Sequence, residues 1–213
     1  MGQAIAAAAE RMDDVVISAR IDVADSIEDG LRNCDVAIDF SSAGAVDEIC
    51  GLAVKLHRPL VIGTTGHSPP QREAIQSAAQ TIPIVLASNF SVGVNVLFWL
   101  TGRAGKLLGK AFAAEIIETH HVMKKDAPSG TAKTLAEILK SGTGRSDVPV
   151  QSIREGEVVG EHTVIFDGPG ERLELVHKAR SRETFAGGAL AAAKWVMNKP
   201  PALYSMQDVL GLE

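Results

Sequence analysis

Residues 59–66 read Pro59-Leu-Val-Ile-Gly63-Thr-Thr-Gly66, and this stretch indicates the fold class. Its short, uninterrupted run of branched apolar residues is typical of a parallel strand that is buried on both faces. Comparable runs predict three further strands, at residues 15–22, 35–40 and 83–87. Apolar residues recur at helical spacing between the later strands, at 46–55 and 68–79. Strands that alternate with helices predict an α/β fold with a doubly wound parallel sheet.

The chain changes character after Asn89. A long helix is predicted over 92–110 and a strand over 113–121, and an amphipathic helix follows over 131–140. Strand-like runs then occur between residues 148 and 181, separated by turn residues. This pattern is typical of a mixed or antiparallel sheet, so it predicts a second, smaller α+β domain. The last part of the chain returns to helical spacing.

Composition excludes several classes of protein. The chain has 213 residues with 21 Lys+Arg and 26 Asp+Glu, so its net charge of −5 argues against a nucleic-acid partner. No apolar run approaches the ~18 residues of a membrane span. Charged residues interrupt the apolar N-terminal stretch, so no signal peptide is expected. Cys34 and Cys50 lack the spacing of a disulfide framework, which favours buried thiols in a reducing compartment. We therefore expect a cytoplasmic protein.

Small and polar residues follow two of the predicted strands. Gly63, Thr64 and Thr65 come directly after one buried run, and the next run ends in Ala87, Ser88, Asn89 and Phe90. Ligands of open α/β sheets bind at the carboxyl ends of strands, where glycine lets the backbone approach closely. These residues are therefore candidates for ligand contact. The alternatives are an ordinary strand–helix turn and, for Phe90, a place in the core.

Gly2 and Asp22 have the spacing of a dinucleotide-binding unit. In such a unit a glycine-rich turn opens the first helix, and an acidic residue about 20 positions later binds the adenosine ribose. Gly2 lies at the start of an Ala-rich helical stretch, and Asp22 lies at the end of a predicted strand. A helix-capping glycine and a solvated aspartate are the alternative.

Residues 118–131 concentrate acid–base groups, with His120, His121 and Lys124 just before a predicted helix start. Histidine is the usual general acid at neutral pH, and lysine can serve when its pKa is lowered. Ser129, Gly130 and Thr131 begin the helix, where N–H groups and hydroxyls form an anion site. A carboxylate could bind there while His120 or Lys124 delivers a proton. The alternatives are a polar loop with an ordinary N-cap, or a zinc site, although no Cys or third His lies at ligand spacing nearby.

The segment from Glu118 to Ala132 resembles the signature of the 4-hydroxy-tetrahydrodipicolinate reductases, also called dihydrodipicolinate reductases. The likeness continues in order through residues 36–41, 62–66, 89–95, 154–156, 160–162 and 177–179. Members of this family are NAD(P)H enzymes of bacterial and plant lysine and diaminopimelate synthesis. The resemblance implies a Rossmann-like nucleotide-binding domain, comprising residues 1–90 and 183–213. It also implies a substrate-binding and oligomerisation domain over 91–182, and a homotetramer joined through the sheets of that second domain.

The resemblance also implies roles for individual residues. His120 would be the proton donor or acceptor, Lys124 its partner proton donor, and the substrate a cyclic imine dicarboxylate. Substrate contacts would come from His121, Gly130 and Thr131, with Ser129 adjacent. Residues 63–65 and 87–90 would line the nicotinamide side of NADH or NADPH, with Asp22 as the ribose ligand and no metal. Hydride transfer to the substrate ring would be followed by protonation of the neighbouring carbon.

The chain departs from the family pattern at two places. Many members carry Arg directly after the ribose acid, whereas Val23 follows Asp22 here, which predicts that NADH is used at least as efficiently as NADPH. The family also begins with a strand and a Gly-x-x-Gly-Arg-Met-Gly loop, and this chain begins at the Met-Gly that closes it. The first strand is central in the usual order, so a gap in the sheet and weak nucleotide affinity are expected.

Two other functions compete with an active reductase. One is a non-catalytic or nucleotide-binding-impaired relative that retains the dicarboxylate site. The other is a sugar or semialdehyde dehydrogenase, and the semialdehyde type needs an activated thiol. Neither Cys34 nor Cys50 lies near an acid–base group in the sequence, which disfavours that type.

Overall fold

A computed structural model describes residues 1–212 and divides the chain into two compact units. The first unit is formed by Met1–Ser91 together with the chain from Glu183 onward, and the second by Val92–Arg182. The first unit is therefore discontinuous in sequence, whereas the second is a single segment.

The described residues form strands and helices with the following bounds. The strands are β1 (Ala37–Asp39), β2 (Leu60–Ile62), β3 (Ile84–Leu86), β4 (Ala113–His120), β5 (Val150–Arg154), β6 (Gly160–Asp167), β7 (Arg172–Ala179) and β8 (Leu203–Tyr204). The α-helices are α1 (Gly2–Ala9), α2 (Ile27–Arg32), α3 (Val46–Leu56), α4 (Pro69–Ala78), α5 (Val92–Leu108), α6 (Gly130–Thr143), α7 (Glu183–Val196) and α8 (Met206–Leu210). Short 3₁₀ turns occur at Ala43–Ala45 and Gly109–Ala111.

A parallel sheet with strand order β1-β2-β3-β8 forms the centre of the first unit. Successive residues of β2 point to opposite faces of the sheet. Val61 joins a core cluster with α1, α7 and α8, whereas Leu60 and Ile62 join a cluster with α3 and α4. All three side chains are completely buried. Helices therefore cover both faces of the sheet, which confirms the predicted Rossmann-like α/β class.

Residues 15–22 do not form the predicted strand. They are irregular chain, and Val16 is 87% exposed. A branched apolar run becomes a strand only where a neighbouring strand pairs with its backbone and its side chains are buried. The described sheet has β1 as its edge, so residues 15–22 have no adjacent strand there to pair with.

The second unit contains a mixed sheet with strand order β5-β4-β6-β7. β4 pairs in parallel with β5 and antiparallel with β6, and β6 pairs antiparallel with β7. One core cluster joins α5 and α6 to apolar side chains of β4 and β6, among them Ile116, Val164 and Phe166. The predicted α+β character of this part of the chain is confirmed. Within residues 1–212, no helix combines the length and apolar character needed to cross a membrane.

Candidate active site

Strand β4 carries two polar side chains into the interior of the second unit. Glu118 and His120 are two residues apart, so they project from the same face of the strand. Both are buried, and Glu118 has no exposed surface at all. A buried carboxylate is tolerated only when hydrogen bonds and opposite charge compensate for the lost water. The partners of Glu118 therefore define the site.

The two carboxylate oxygens of Glu118 have different partners. Oε2 is hydrogen-bonded to Nδ1 of His120. Oε1 lies 2.9 Å from Nη2 of Arg154 and accepts the backbone N–H of Ser129 at 3.3 Å. Burial alone would raise the pKa of the Glu118 carboxyl, but the hydrogen bonds, that from Arg154 foremost, hold this pKa below its usual value. Glu118 is therefore a carboxylate at neutral pH.

Opposing influences set the pKa of the His120 imidazole. Burial lowers its pKa, and the charges of Lys124 and Arg154 act in the same direction, while Glu118 acts against them. The net pKa lies below its usual value. Because Glu118 occupies Nδ1, Nε2 is the nitrogen that can exchange a proton with a ligand. A Cβ at Gly160 would lie 3.1 Å from Nε2, so glycine at that position leaves this nitrogen uncrowded.

Arg154 holds the loop that carries Lys124. Its Nε donates to the backbone carbonyl of Lys124 at 3.3 Å, and its Nη2 donates to the carbonyl of Asp126. The ammonium of Lys124 lies 2.7 Å from the Asp126 carboxylate. The guanidinium that pairs with Glu118 thus also fixes the loop of the second candidate proton donor.

The beginning of α6 completes the candidate site. Ser129 is the N-cap, since its Oγ accepts the N–H of Ala132 at 3.2 Å. Gly130 and Thr131 follow as the first helical residues, at the positive end of the helix dipole. Such a helix end binds anions, and carboxylates among them. His121, which directly follows His120, is half-buried in the loop that leads to this helix.

His162 belongs to the motif at 160–162, but nothing in the sequence indicates that it joins this site. β6 pairs with β4 in a register that sets His162 opposite Glu118, and the His162 ring lies edge-on to His120 with centroids 5.1 Å apart. Its Nε2 lies 3.2 Å from Oγ of Ser129. Burial lowers the pKa of His162 to about 3, so the ring is neutral. Strand register, which sequence spacing does not reveal, creates this contact.

Glu118, His120 and His162 also lie close enough together to be metal ligands. One ligand atom from each falls within 4.8 Å of the others. Sequence spacing offers no third ligand near His120, whereas the structure supplies one from β6. However, the guanidinium of Arg154 already pairs with Glu118, and its positive charge disfavours a cation at the same carboxylate. The arrangement is better suited to proton transfer than to metal binding.

The cofactor candidates of the first unit follow two adjacent strands. Gly63–Thr65 comes directly after β2 and Ala87–Phe90 directly after β3, and these strands are paired in parallel. Thr64 is buried, and its Oγ1 has no hydrogen-bond partner among the described residues. A buried hydroxyl without a partner, at the carboxyl edge of a parallel sheet, is suited to a polar ligand. Phe90, by contrast, is a core residue packed with α7.

Packing accounts for one of the glycines in this region. A Cβ on Gly63 would lie 2.3 Å from the ring of Phe40, so no larger residue fits there without movement of that ring. The ring of Phe40 lies 5.5 Å from that of Phe90. The glycine is thus needed by the core whether or not a ligand also approaches it.

Gly2 and Asp22 have different outcomes. Gly2 begins α1, as predicted, and is exposed. Asp22 does not end a strand but lies in an exposed turn, where its Oδ1 accepts the N–H of Val23 at 2.8 Å. Its own N–H donates to Asp25 at 2.8 Å. Residues 15–22 do not pair with a strand, so Asp22 is a turn residue rather than the end of a strand.

Two sequence profiles match this chain in succession. The profile described as "Dihydrodipicolinate reductase, N-terminus" matches residues 1–90, and "Dihydrodipicolinate reductase, C-terminus" matches residues 93–210. The chain belongs to the dihydrodipicolinate reductase family. The resemblance seen in residues 118–132 is thereby confirmed across both units.

Relatives in the dihydrodipicolinate reductase family are similar over most of their length. The 4-hydroxy-tetrahydrodipicolinate reductase of Akkermansia muciniphila is 48% identical over 231 aligned positions, which cover 100% of this chain and 94% of that protein. The enzyme of the same name from Syntrophus aciditrophicus is 46% identical over 196 positions, covering 83% and 73%.

Solved structures show the same fold. Dipicolinate-bound dihydrodipicolinate reductase from Paenisporosarcina sp. TG-14 matches with a TM-score of 0.79 at 22% identity, covering 98% of this chain and 94% of that one. A probable dehydrogenase from Thermotoga maritima matches with a TM-score of 0.62 at 12% identity, covering 97% and 89%.

Within the second unit, the structure connects the acid–base residues of the 118–131 segment through one carboxylate. His120, the Lys124 loop and the Ser129 N-cap all connect to Glu118, directly or through Arg154. Glu118 and Arg154 lie within the motifs that resemble the dihydrodipicolinate reductase family, but the sequence alone indicates no role for either. Their strands, β4 and β5, both contain other polar residues as well, so nothing in the local pattern singles out Glu118 or Arg154.

Proposed function

We propose that this family member catalyses the NAD(P)H-dependent reduction of 4-hydroxy-tetrahydrodipicolinate to tetrahydrodipicolinate, a step of lysine and diaminopimelate biosynthesis. The reaction takes up one hydride and one proton and releases water. The observation that carries the proposal is the buried Glu118–His120 pair beside the first turn of α6. It occurs in a chain 48% identical to a relative named for this reaction.

The start of α6 is proposed to bind a substrate carboxylate. The substrate is a cyclic imine with two carboxylates, and the positive end of a helix stabilises one such group. Gly130 and Thr131 supply the first helical residues, and Ser129 is held as N-cap between Ala132 and His162. His121 is proposed as an additional substrate contact. A relative's structure described as dipicolinate-bound supports a dicarboxylate ligand for the family.

His120 is proposed to deliver the proton. Its Nε2 is the free position, and the Glu118 carboxylate stabilises the positive charge that the ring carries before transfer. Lys124 is proposed as the partner donor, held near His120 by the backbone hydrogen bonds of Arg154. Proton delivery to a ring carbon from a positioned acid is suited to this pair, because both groups can donate.

The first unit is proposed to bind the nicotinamide nucleotide, which supplies the hydride when bound. Gly63, Thr64 and Thr65, with the residues from Ala87 to Asn89, would hold its nicotinamide side, whereas Phe90 is part of the core beneath them. The unpartnered hydroxyl of Thr64 at the carboxyl edge of β2 supports this assignment. Gly2 and Asp22 are proposed for the pyrophosphate and ribose side, where their exposure makes them accessible.

NADH is expected to support turnover at least as well as NADPH. Asp22 is followed by Val23, so the ribose position carries a carboxylate without an adjacent cation for a 2′-phosphate. Steady-state kcat/KM for the two cofactors measures the ratio directly. Asp22→Asn is expected to raise the relative efficiency with NADPH, because it removes the repulsion between the carboxylate and the phosphate. A strong preference of the unaltered protein for NADPH would contradict the expectation.

A semialdehyde dehydrogenase is not supported by the cysteines. Burial raises the pKa of the Cys50 thiol to about 11, and burial also raises that of Cys34. A catalytic thiol needs a lowered pKa, because the thiolate is the nucleophile. Neither cysteine is therefore activated.

Steady-state assay of the full chain tests the proposal. The substrate is generated in place by the preceding synthase, and oxidation of NADH or NADPH is followed by absorbance. Turnover that depends on the synthase product is the expected result. Cofactor binding without turnover would instead indicate a non-catalytic relative that retains the dicarboxylate site.

A homotetramer joined through the sheet of the second unit is also proposed. β7 is an edge strand of that sheet, and Leu173 and Val176 on it are exposed. Edge strands with exposed apolar side chains are common sites of association. Sedimentation of the full chain measures the oligomeric state, and a monomer at micromolar concentration would contradict the proposal.

A further inference from the structure

We propose that Glu118 is a positioning residue whose single buried carboxylate aligns both candidate proton donors and the anion-binding end of α6. The inference deepens the proposed function and rests on it for its catalytic meaning. It concerns a residue that would not touch the substrate and that acts through its neighbours.

Glu118 connects parts of the second unit that are distant in sequence. Through Oε2 it holds Nδ1 of His120, which sets the tautomer and the ring orientation. Through Oε1 it accepts the N–H of Ser129, the N-cap of α6. A displacement of this side chain would therefore disturb the proton donor and the helix end together.

Arg154 extends the same connection to Lys124. Its guanidinium contacts Oε1 of Glu118 at 2.9 Å, the carbonyl of Lys124 at 3.3 Å and the carbonyl of Ile153 at 2.7 Å, and also the carbonyl of Asp126. A planar guanidinium with acceptors on all sides has little freedom to move. The carboxylate that orients His120 is thus also the counterion of the arginine that fixes the Lys124 loop.

The charged groups that face His120 come from several elements and have opposite effects on its pKa. Glu118 on β4 raises the pKa of His120, whereas Lys124 in the loop and Arg154 on β5 lower it. His162 on β6 also faces the ring but is neutral, and His177 lies beyond it on β7. Removing the charge of Glu118 should therefore lower the pKa of His120, whereas removing the charge of Arg154 should raise it.

Two neutral substitutions separate positioning from a structural role. Glu118→Gln keeps the size and an acceptor oxygen but loses the charge, and Arg154→Gln removes the counterion. Glu115→Gln is the matched control, since Glu115 lies on the same strand, partly exposed, with a surface ion pair to Arg172. Nitrogen-15 NMR of histidine-labelled full chain without ligands gives the tautomer and the pKa of His120 in each variant.

The NMR titration is expected to distinguish the variants by sign. In the unaltered protein, neutral His120 should carry its proton on Nδ1, hydrogen-bonded to Glu118. The pKa of His120 should fall in Glu118→Gln, rise in Arg154→Gln and stay unchanged in Glu115→Gln. If Glu118 only filled space, Glu118→Gln and Arg154→Gln would not shift the pKa of His120 in opposite directions.

Kinetics supply the second readout. Glu118→Gln should lower kcat by about 10- to 100-fold, the loss expected for a hydrogen bond to a charged group, with a smaller change in KM. A general acid is active when protonated, so the fall of kcat at high pH should begin at lower pH in this variant. Glu115→Gln should retain the kcat and pH profile of the unaltered protein.

Several outcomes would overturn the inference. Unchanged kcat and titration in Glu118→Gln would do so, as would shifts of His120 in the same direction in both variants. If Glu118→Gln does not fold, the tautomer of the unaltered protein and the Arg154→Gln titration decide the question. If reductase activity is absent while the tautomer and the opposed shifts are found, the proposed function fails and the positioning role of Glu118 stands.

Discussion

Substitution of His120 by Gln is expected to lower kcat by about 10²- to 10⁴-fold, which is what a positioned general acid contributes. Glutamine reaches a similar distance but cannot carry the proton at neutral pH. Because the start of α6 is untouched, the change in KM is expected to be small beside the change in kcat. Stopped-flow or steady-state oxidation of NADH with synthase-generated substrate measures both parameters.

His57→Gln is the matched control for this prediction. His57 is an exposed residue at the end of α3 in the first unit, so the same chemical change there should leave kcat within a factor of about two. Circular dichroism of both variants verifies that each retains its fold. An unaltered kcat in His120→Gln would remove His120 from the mechanism and leave Lys124 as the candidate acid.

Substitution of Gly188 by Ala is expected to lower the free energy of unfolding by about 3 kcal/mol, the upper end of the cost of overpacking. Gly188 is buried in α7, and a Cβ there would lie 1.7 Å from the backbone oxygen of Phe90. A backbone carbonyl cannot rotate away as a side chain does, so either α7 or the segment after β3 must shift. The midpoint of thermal unfolding should fall by roughly 6–12 °C.

Gly187→Ala provides the control from the adjacent position. Gly187 lies in the same helix but is exposed, and a Cβ there meets nothing within 4 Å. Alanine favours helix over glycine by up to ~1 kcal/mol, so this variant should be as stable as the unaltered protein or slightly more stable. If Gly188→Ala were equally stable, the close approach of α7 to Phe90 would be disproved.

The regular part of the fold was predictable because a strand that is buried on both faces appears in the sequence as a short run of branched apolar residues. The runs at 35–40, 59–63 and 83–87 became β1, β2 and β3, since each is flanked by paired strands or helices that bury it. The run at 15–22 is similar but has no strand beside it among the described residues. A one-dimensional pattern cannot report whether a partner strand is present.

The candidate site was predictable only where its residues are close in sequence. His120, Lys124 and Ser129 lie within one short segment, so their meeting could be inferred from the predicted strand, loop and helix. Arg154 and His162 come from β5 and β6, and their place depends on the register of those strands against β4. Register is set by packing and turns, which spacing in the sequence does not encode.

The discontinuity of the first unit has a consequence for its synthesis on the ribosome. β8 pairs with β3, and α7 supplies much of the core cluster that contains Val61 and Phe90. When residues 1–91 leave the ribosome, β3 lacks its partner strand and the sheet face that includes Val61 lacks α7. Both stay exposed until the whole of Val92–Arg182 has been made. The second unit is continuous, so it can complete its core first. Folding during synthesis is therefore expected to complete the second unit first, while apolar surface of the N-terminal segment stays exposed until α7 and β8 have been made.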